Sequence, residues 1–150
     1  MKGRAPPTPQ RPSGHWDWPA PLPKTTPAEA ADAELLFRHE YDRINRQVYQ
    51  DALPPFPGIE FVDRLDIFSM TQTIGRGPWR RLEPFLLSRH LKGDLLREAI
   101  RHEVAHAAAI LFDGDEDHGP AWRRHAALCG ASEVATLDSG HPLRRDWPQP

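Results

Sequence analysis

Residues 94–129 read DLLREAIRHEVAHAAAILFDGDEDHGPAWRRHAALC. Leu95, Leu96, Ala99, Ile100, Val104, Ala107, Ala108 and Leu111 recur at spacings near three and four, the stripe of a helix buried along one side. No glycine or proline interrupts residues 95–112. Asp94, after Gly93, is placed to act as N-cap, and Gly114 to stop the run. Residues four apart on a helix lie one turn above each other on the same face. His102 and His106 therefore aim two imidazoles at one point, and Glu103 follows the first of them. This is the H-E-x-x-H arrangement: two nitrogen ligands for one metal ion, and a carboxylate within reach of the water that ion holds.

A catalytic zinc takes three protein ligands and keeps its fourth position open. Twelve residues after His106 comes His118, in His118-Gly119-Pro120-Ala121-Trp122. Pro120 suits the first turn of a second helix, and Gly119 lets the backbone turn tightly before it. Gly130, after Cys129, is placed to end that helix. His118 then stands at a helix start, facing back toward the first helix. Glu133 is the fallback third ligand, although it lies beyond the stop at Gly130. Another extended pattern needs glycine three and histidine six residues after the second motif histidine; those positions hold Ala109 and Phe112. Against the metal reading stands a bland one, two histidines and a glutamate on a solvated helix face. The placement of His118 weighs against it.

The pattern H-E-x-x-H-A, an acidic loop, then H-G-P-x-aromatic resembles the SprT-like (Spartan-type) zinc metalloprotease family. Leu35-Leu36-Phe37-Arg38 through Tyr49 resembles that family's first helix, and Ile59-Glu60-Phe61 its first strand. Arg81-Leu82-Glu83-Pro84-Phe85-Leu86-Leu87 resembles the strand and turn before its active-site helix. The likeness spans roughly residues 33–130 and is tightest over 102–122. It implies a zincin-like fold, Zn2+ as cofactor, His102, His106 and His118 as its ligands, and Glu103 as general base. The implied reaction is peptide-bond hydrolysis of a protein substrate, one associated with DNA. The rival reading is a non-catalytic, zinc-stabilised adaptor that binds DNA or protein. The presence of Glu103 argues against a merely structural site, which has no use for it.

At 150 residues the chain reads as one domain with a real core. Its net charge of −2 and isoelectric point near 6.4 give no global basic field. One cysteine, Cys129, excludes an intrachain disulfide and a Cys-rich zinc ribbon, and suits a reducing cytosol. The N-terminal residues lack the apolar core of a signal peptide. The longest apolar run, residues 107–112, is too short to span a bilayer. A cytoplasmic address with no membrane partner is expected.

Residues 1–27 hold eight of the seventeen prolines and predict an extended tail, with Trp16 and Trp18 as weakly docked side chains. Thr26, Pro27 and Glu29 form a helix start, and Leu35, Leu36, Tyr41, Ile44 and Val48 carry that helix to about residue 51. Residues 53–58 break it. Three strands follow, over 59–65, 67–74 and 79–82. In the second, Phe68, Met70, Gln72 and Ile74 are expected to face the core, with Ser69, Thr71 and Thr73 outward. Pro84 marks a strand end or sheet edge. The order is N-terminal helix, small mainly antiparallel three-stranded sheet, active-site helix and following helix, an α+β fold. The metallopeptidase domain is expected over residues 28–137, with a loose tail over 138–150.

Residues 76–101 carry Arg76, Arg80, Arg81, Arg89, Lys92, Arg97 and Arg101 against Glu83, Asp94 and Glu98, a local excess of +4. Arg76, Arg80, Arg81, Arg89 and Lys92 are candidates for a rim contacting DNA phosphates; ordinary solvated charge is the alternative. Tyr41, Arg124 and His125 are candidate donors to an oxyanion. His125 is otherwise expected at the surface, and Cys129 in the core. Asp113, Asp115, Glu116 and Asp117 are expected mostly as a solvated loop, with at most one of them, Asp115 or Asp117, turned inward as an acceptor for a ligand histidine. A substrate strand is expected to add near residues 79–83.

Overall fold

Thr26 and Glu29 begin the first helix as a closed capping box. Thr26 Oγ1 accepts from the Glu29 amide at 3.1 Å, and Glu29 Oε1 accepts from the Thr26 amide at 2.8 Å. The helix, α1, spans Pro27–Gln47. The computed structural model that contains it describes residues 25–63 and 69–132. The expectations for Trp16 and Trp18, for Leu65, Ile67 and Phe68, for Glu133 and for the C-terminal tail lie outside those residues.

The buried face of α1 is Ala33, Phe37, Tyr41, Ile44 and Asn45. Leu35 is exposed instead, and Leu36 and Val48 are only partly covered. The stripe is set by Phe37, whose ring stacks 4.7 Å from Phe85 and lies 5.6 Å from Phe56. Past the helix, buried Asn45 grips the returning chain: its Nδ2 donates to Leu53 O and its Oδ1 accepts from Leu53 N. Leu53 thus keeps both backbone groups paired while it and Phe56 pack on the core.

Three strands follow: β1 (Ile59–Val62), β2 (Ser69–Ile74) and β3 (Arg81–Ser88), in the order β1-β3-β2. β3 is antiparallel to β2 and parallel to β1, so the sheet is mixed rather than mainly antiparallel. The chain reverses once into β2 and again into β3, which returns β3 to the direction of β1. β3 then takes the centre because it carries the buried Phe85 and Leu87. Trp79, expected to open the third strand, sits in a 3-10 turn at Gly77–Trp79, and the strand runs on to Ser88. Gly75 closes the turn at φ +89°; a Cβ there would stand 2.6 Å from the Trp79 carbonyl oxygen.

Pro84 lies within the central strand, not at an end or edge. Met70 pairs with Leu86 and Gln72 with Glu83, so β3 advances three residues while β2 advances two. This bulge absorbs the missing amide. Gln72 Nε2 donates to the Pro84 carbonyl at 2.9 Å, and pairing with the β1 side begins with Phe85 N donating to Gly58 O at 3.0 Å.

β3 leads into α2 (Gly93–Asp113). Lys92 holds the N-cap position without a side-chain bond, and Asp94 falls inside the first turn, paired with Arg97 at 3.4 Å. The predicted stripe of α2 is buried, Leu111 partly so. From Glu103 to Ile110 every residue is buried, because sheet, α1 and α3 all pack on this helix. Alanines at 105 and 107–109 make that close approach possible. α3 (Pro120–Cys129) has Pro120 in its first turn, and the glycines that follow α2 and α3 are both left-handed. Ser132 N donates back to Glu98 Oε2 on α2 at 2.7 Å. Among the described residues no helix is long and apolar enough to cross a membrane.

β2 is turned the opposite way from its expected facing. Met70 and Ile74 are exposed, whereas Ser69 and Thr71 point onto α2. The cause is a buried carboxylate on that helix.

Candidate metal centre

The turn spacing of α2 places His102 and His106 on one face, with ring centroids 4.8 Å apart. His118 comes to them from the loop before α3. Its Nε2 lies 2.9 Å from His106 Nε2 and 3.3 Å from His102 Nε2. One ligand atom from each of the three lies within 4.8 Å of the others. Zinc–nitrogen bonds of 2.0–2.1 Å at tetrahedral angles set ligand nitrogens about 3.3 Å apart. The cluster thus has nearly the span that a four-coordinate ion demands, and three imidazole nitrogens fit such an ion. His102, His106 and His118 are the residues that could hold a metal.

Burial dictates the protonation of two of them. Desolvation, with His118 nearby as a secondary cause, pushes His102 down to about 4. Desolvation also pushes His106 down to about 4, opposed by Glu103 and assisted by His102 and His118. Both rings are neutral at pH 7, the form in which imidazole binds metal.

Trp122, wholly buried in the first turn of α3, forms the floor. Its ring centroid lies 4.9, 5.4 and 4.7 Å from those of His102, His106 and His118. The loop that delivers His118 is organised by Asp115. Asp115 Oδ1 accepts from Asp117 N at 2.9 Å, and its Oδ2 accepts from Trp122 N at 3.3 Å. Asp115 therefore turns inward, but onto two backbone amides, one in its own loop and one in the first turn of α3. Gly119 matters through space: its φ is −80°, and a Cβ would stand 3.1 Å from Asp115 Oδ2.

Glu103, 3% exposed, projects toward β2. Ser69 Oγ donates to its Oε2 at 2.6 Å, and Thr71 Oγ1 lies 2.5 Å from its Oε1 and 3.0 Å from its carbonyl oxygen. These two hydroxyls were missed in the sequence because β2 reads as a strand with its polar face outward. The signal that could have found them is the carboxylate itself, which needs donors once residues 103–110 of α2 are buried.

The proposed oxyanion donors are elsewhere. Tyr41 is in the core, with its hydroxyl donating to Pro54 O at 2.6 Å and burial pushing its ionisation far up. His125 is buried rather than at the surface, and both ring nitrogens are engaged: Nδ1 with Tyr49 Oη at 2.6 Å, Nε2 with Asp113 Oδ2 at 2.7 Å. Arg124 is exposed and stands 3.8 Å from Asp113. Cys129 is core, as expected, beside Tyr49 Oη at 3.6 Å.

The five candidate phosphate contacts fall into two groups. Arg76, Arg80 and Arg81 surround the exposed Trp79; Arg89 and Lys92 follow the far end of β3. Eight strand residues at about 3.3 Å each separate the groups by roughly 25 Å. Arg80 pairs with Glu116 at 3.3 Å, Arg89 lies over the Phe61 ring at 5.4 Å, and Lys92 pairs with Glu29 at 3.5 Å. Arg76 and Arg81 are exposed. Residues 81–83, expected at an edge, pair with β2 inside the central strand, and the outer edges of the sheet belong to β1 and β2.

A family model described as the SprT-like family matches residues 37–141. No curated protein and no solved structure matches the chain.

Proposed function

The chain belongs to the SprT-like family, and on that premise we propose that it is a zinc-dependent metallopeptidase with Glu103 as its general base. The observation that carries this reading is the convergence of His102, His106 and His118, with a buried carboxylate, Glu103, on the helix that carries the first two. Three imidazoles favour zinc over harder ions. When bound, zinc supplies a Lewis acid toward the substrate carbonyl and a water acidic near pH 7.

The chain's own residues do the rest. The three imidazoles, packed on Trp122, fix one point of attack above the floor of the site. Glu103 accepts the proton of the attacking water and hands it to the leaving amine nitrogen. Each of its oxygens has two acceptor positions, so the bonds from Ser69 and Thr71 leave one on each for that proton. The substrate class we propose is protein. A DNA contact would fall first on Arg76 and Arg81, exposed beside Trp79, since Arg80, Arg89 and Lys92 already have partners.

The test is proteolysis by zinc-loaded protein, self-cleavage included, with and without single-stranded DNA, beside Glu103→Gln. The expected result is cleavage in the parent and none in the variant, with zinc retained by both. Zinc-loaded protein that cleaves nothing would move the assignment to a zinc-stabilised adaptor.

A further inference from the structure

Glu103 is a carboxylate with almost no access to water, and the bonds to its oxygens come from two neutral hydroxyls. Ser69 and Thr71 are two residues apart on β2, so both side chains leave the same face of the strand. Their spacing matches the fork of one carboxylate: Ser69 Oγ takes Oε2 at 2.6 Å and Thr71 Oγ1 takes Oε1 at 2.5 Å. Hydroxyl-to-carboxylate bonds this short are charge-assisted and among the stronger ones in proteins. A glutamate side chain otherwise turns about three bonds, and a bond at each oxygen removes that freedom. Thr71 Oγ1 also lies 3.0 Å from the Glu103 carbonyl, so β2 is registered against the helix backbone at the same residue.

The arrangement also explains why β2 exposes Met70 and Ile74. Two apolar side chains are left in water so that two hydroxyls can reach one carboxylate. We propose that Ser69 and Thr71 are positioning residues, which hold the Glu103 carboxylate by one oxygen each and set the direction from which it meets the substrate water. The proposal rests on the reading of Glu103 as the base. It makes β2 part of the site, so that the base is aimed by the sheet as well as by α2.

Two measurements on Ser69→Ala, Thr71→Val and their double variant test it. The first is a denaturant double-mutant cycle against Glu103→Ala, which needs no activity. Thr71→Val and Ser69→Ala are expected to lower the unfolding midpoint when Glu103 is present, and to lower it much less in the Glu103→Ala background. Equal losses in both backgrounds would overturn the contact. The second is steady-state proteolysis with zinc content measured. The double variant is expected to lose at least about tenfold in kcat, with KM and bound zinc near the parent values. Thr71→Ser, which keeps the hydroxyl, is expected to recover most of that loss. A parent-like kcat in the double variant, or a loss that Thr71→Ser does not recover, would overturn the positioning role. A parent protein that cuts nothing would overturn both the reaction and the positioning role, while the cycle still reports whether the clamp exists.

Discussion

Asp115 Oδ2 accepts a hydrogen bond from the main-chain nitrogen of Trp122 at 3.3 Å. The acidic loop and the indole under the three histidines are thereby one unit, with His118 between them. Asp115→Ala is expected to cost about 1 kcal/mol, the usual loss when a helix start loses its acceptor. It should also weaken zinc binding by freeing His118. Asp115→Asn should retain most of both. Thermal unfolding of the metal-free protein and competitive zinc titration separate the two effects.

Trp122 touches all three imidazoles and is wholly buried. Trp122→Ala should destabilise the metal-free fold by about 3–5 kcal/mol. Trp122→Phe should cost less and keep the metal. A Phe variant that folds but binds no zinc would show that the indole itself, not the packing, is required.

His118→Ala removes one of three donors and leaves α2 intact. Zinc affinity is expected to fall by orders of magnitude while the helical circular dichroism holds. Full zinc retention, measured by elemental analysis after dialysis, would take His118 out of the ligand set.

The buried neutral histidines give the metal-free protein a defined pH response. Burial lowers His102 and His106 to about 4 in the folded protein, against an ordinary 6.5. Between those values the unfolded chain binds protons that the folded chain does not. Stability is therefore complete above about 6.5 and is lost as pH falls toward 4. Urea midpoints of chelator-treated protein, taken from about pH 7.5 to 4.5, should hold above about pH 6.5 and decline steadily below it.

Cys129 is buried and held beside Tyr49, and burial pushes its thiol up to about 11. It should resist thiol reagents at about pH 8 in the folded protein and react at once in denaturant. Tyr49→Phe leaves His125 Nδ1 without its partner and should cost about 1–3 kcal/mol. The metal site, which does not use His125, should keep its zinc.

The pairing of His102 with His106, the capping box of α1 and the glycine stops after α2 and α3 are local matters, and the sequence determined them by itself. A four-residue spacing places His102 and His106 together on any helix, Thr26 and Glu29 cap whatever follows them, and the run from His118 to Pro120 has to start a new helix. The tertiary structure alone decided the facing of β2, the central place of β3 with Pro84 inside it, and the burial of His125. Each of these depends on a partner distant in sequence. The alternation in β2 specified two faces but not which one meets the core, and a buried carboxylate thirty-odd residues away, Glu103, chose the polar one. Pro84 is tolerated because Gln72 and a bulge stand opposite it, and His125 is buried because Tyr49 and Asp113 occupy both its nitrogens. The polar groups of Glu103, Gln72 and His125 are held by partners that the fold assembles and the local pattern does not write.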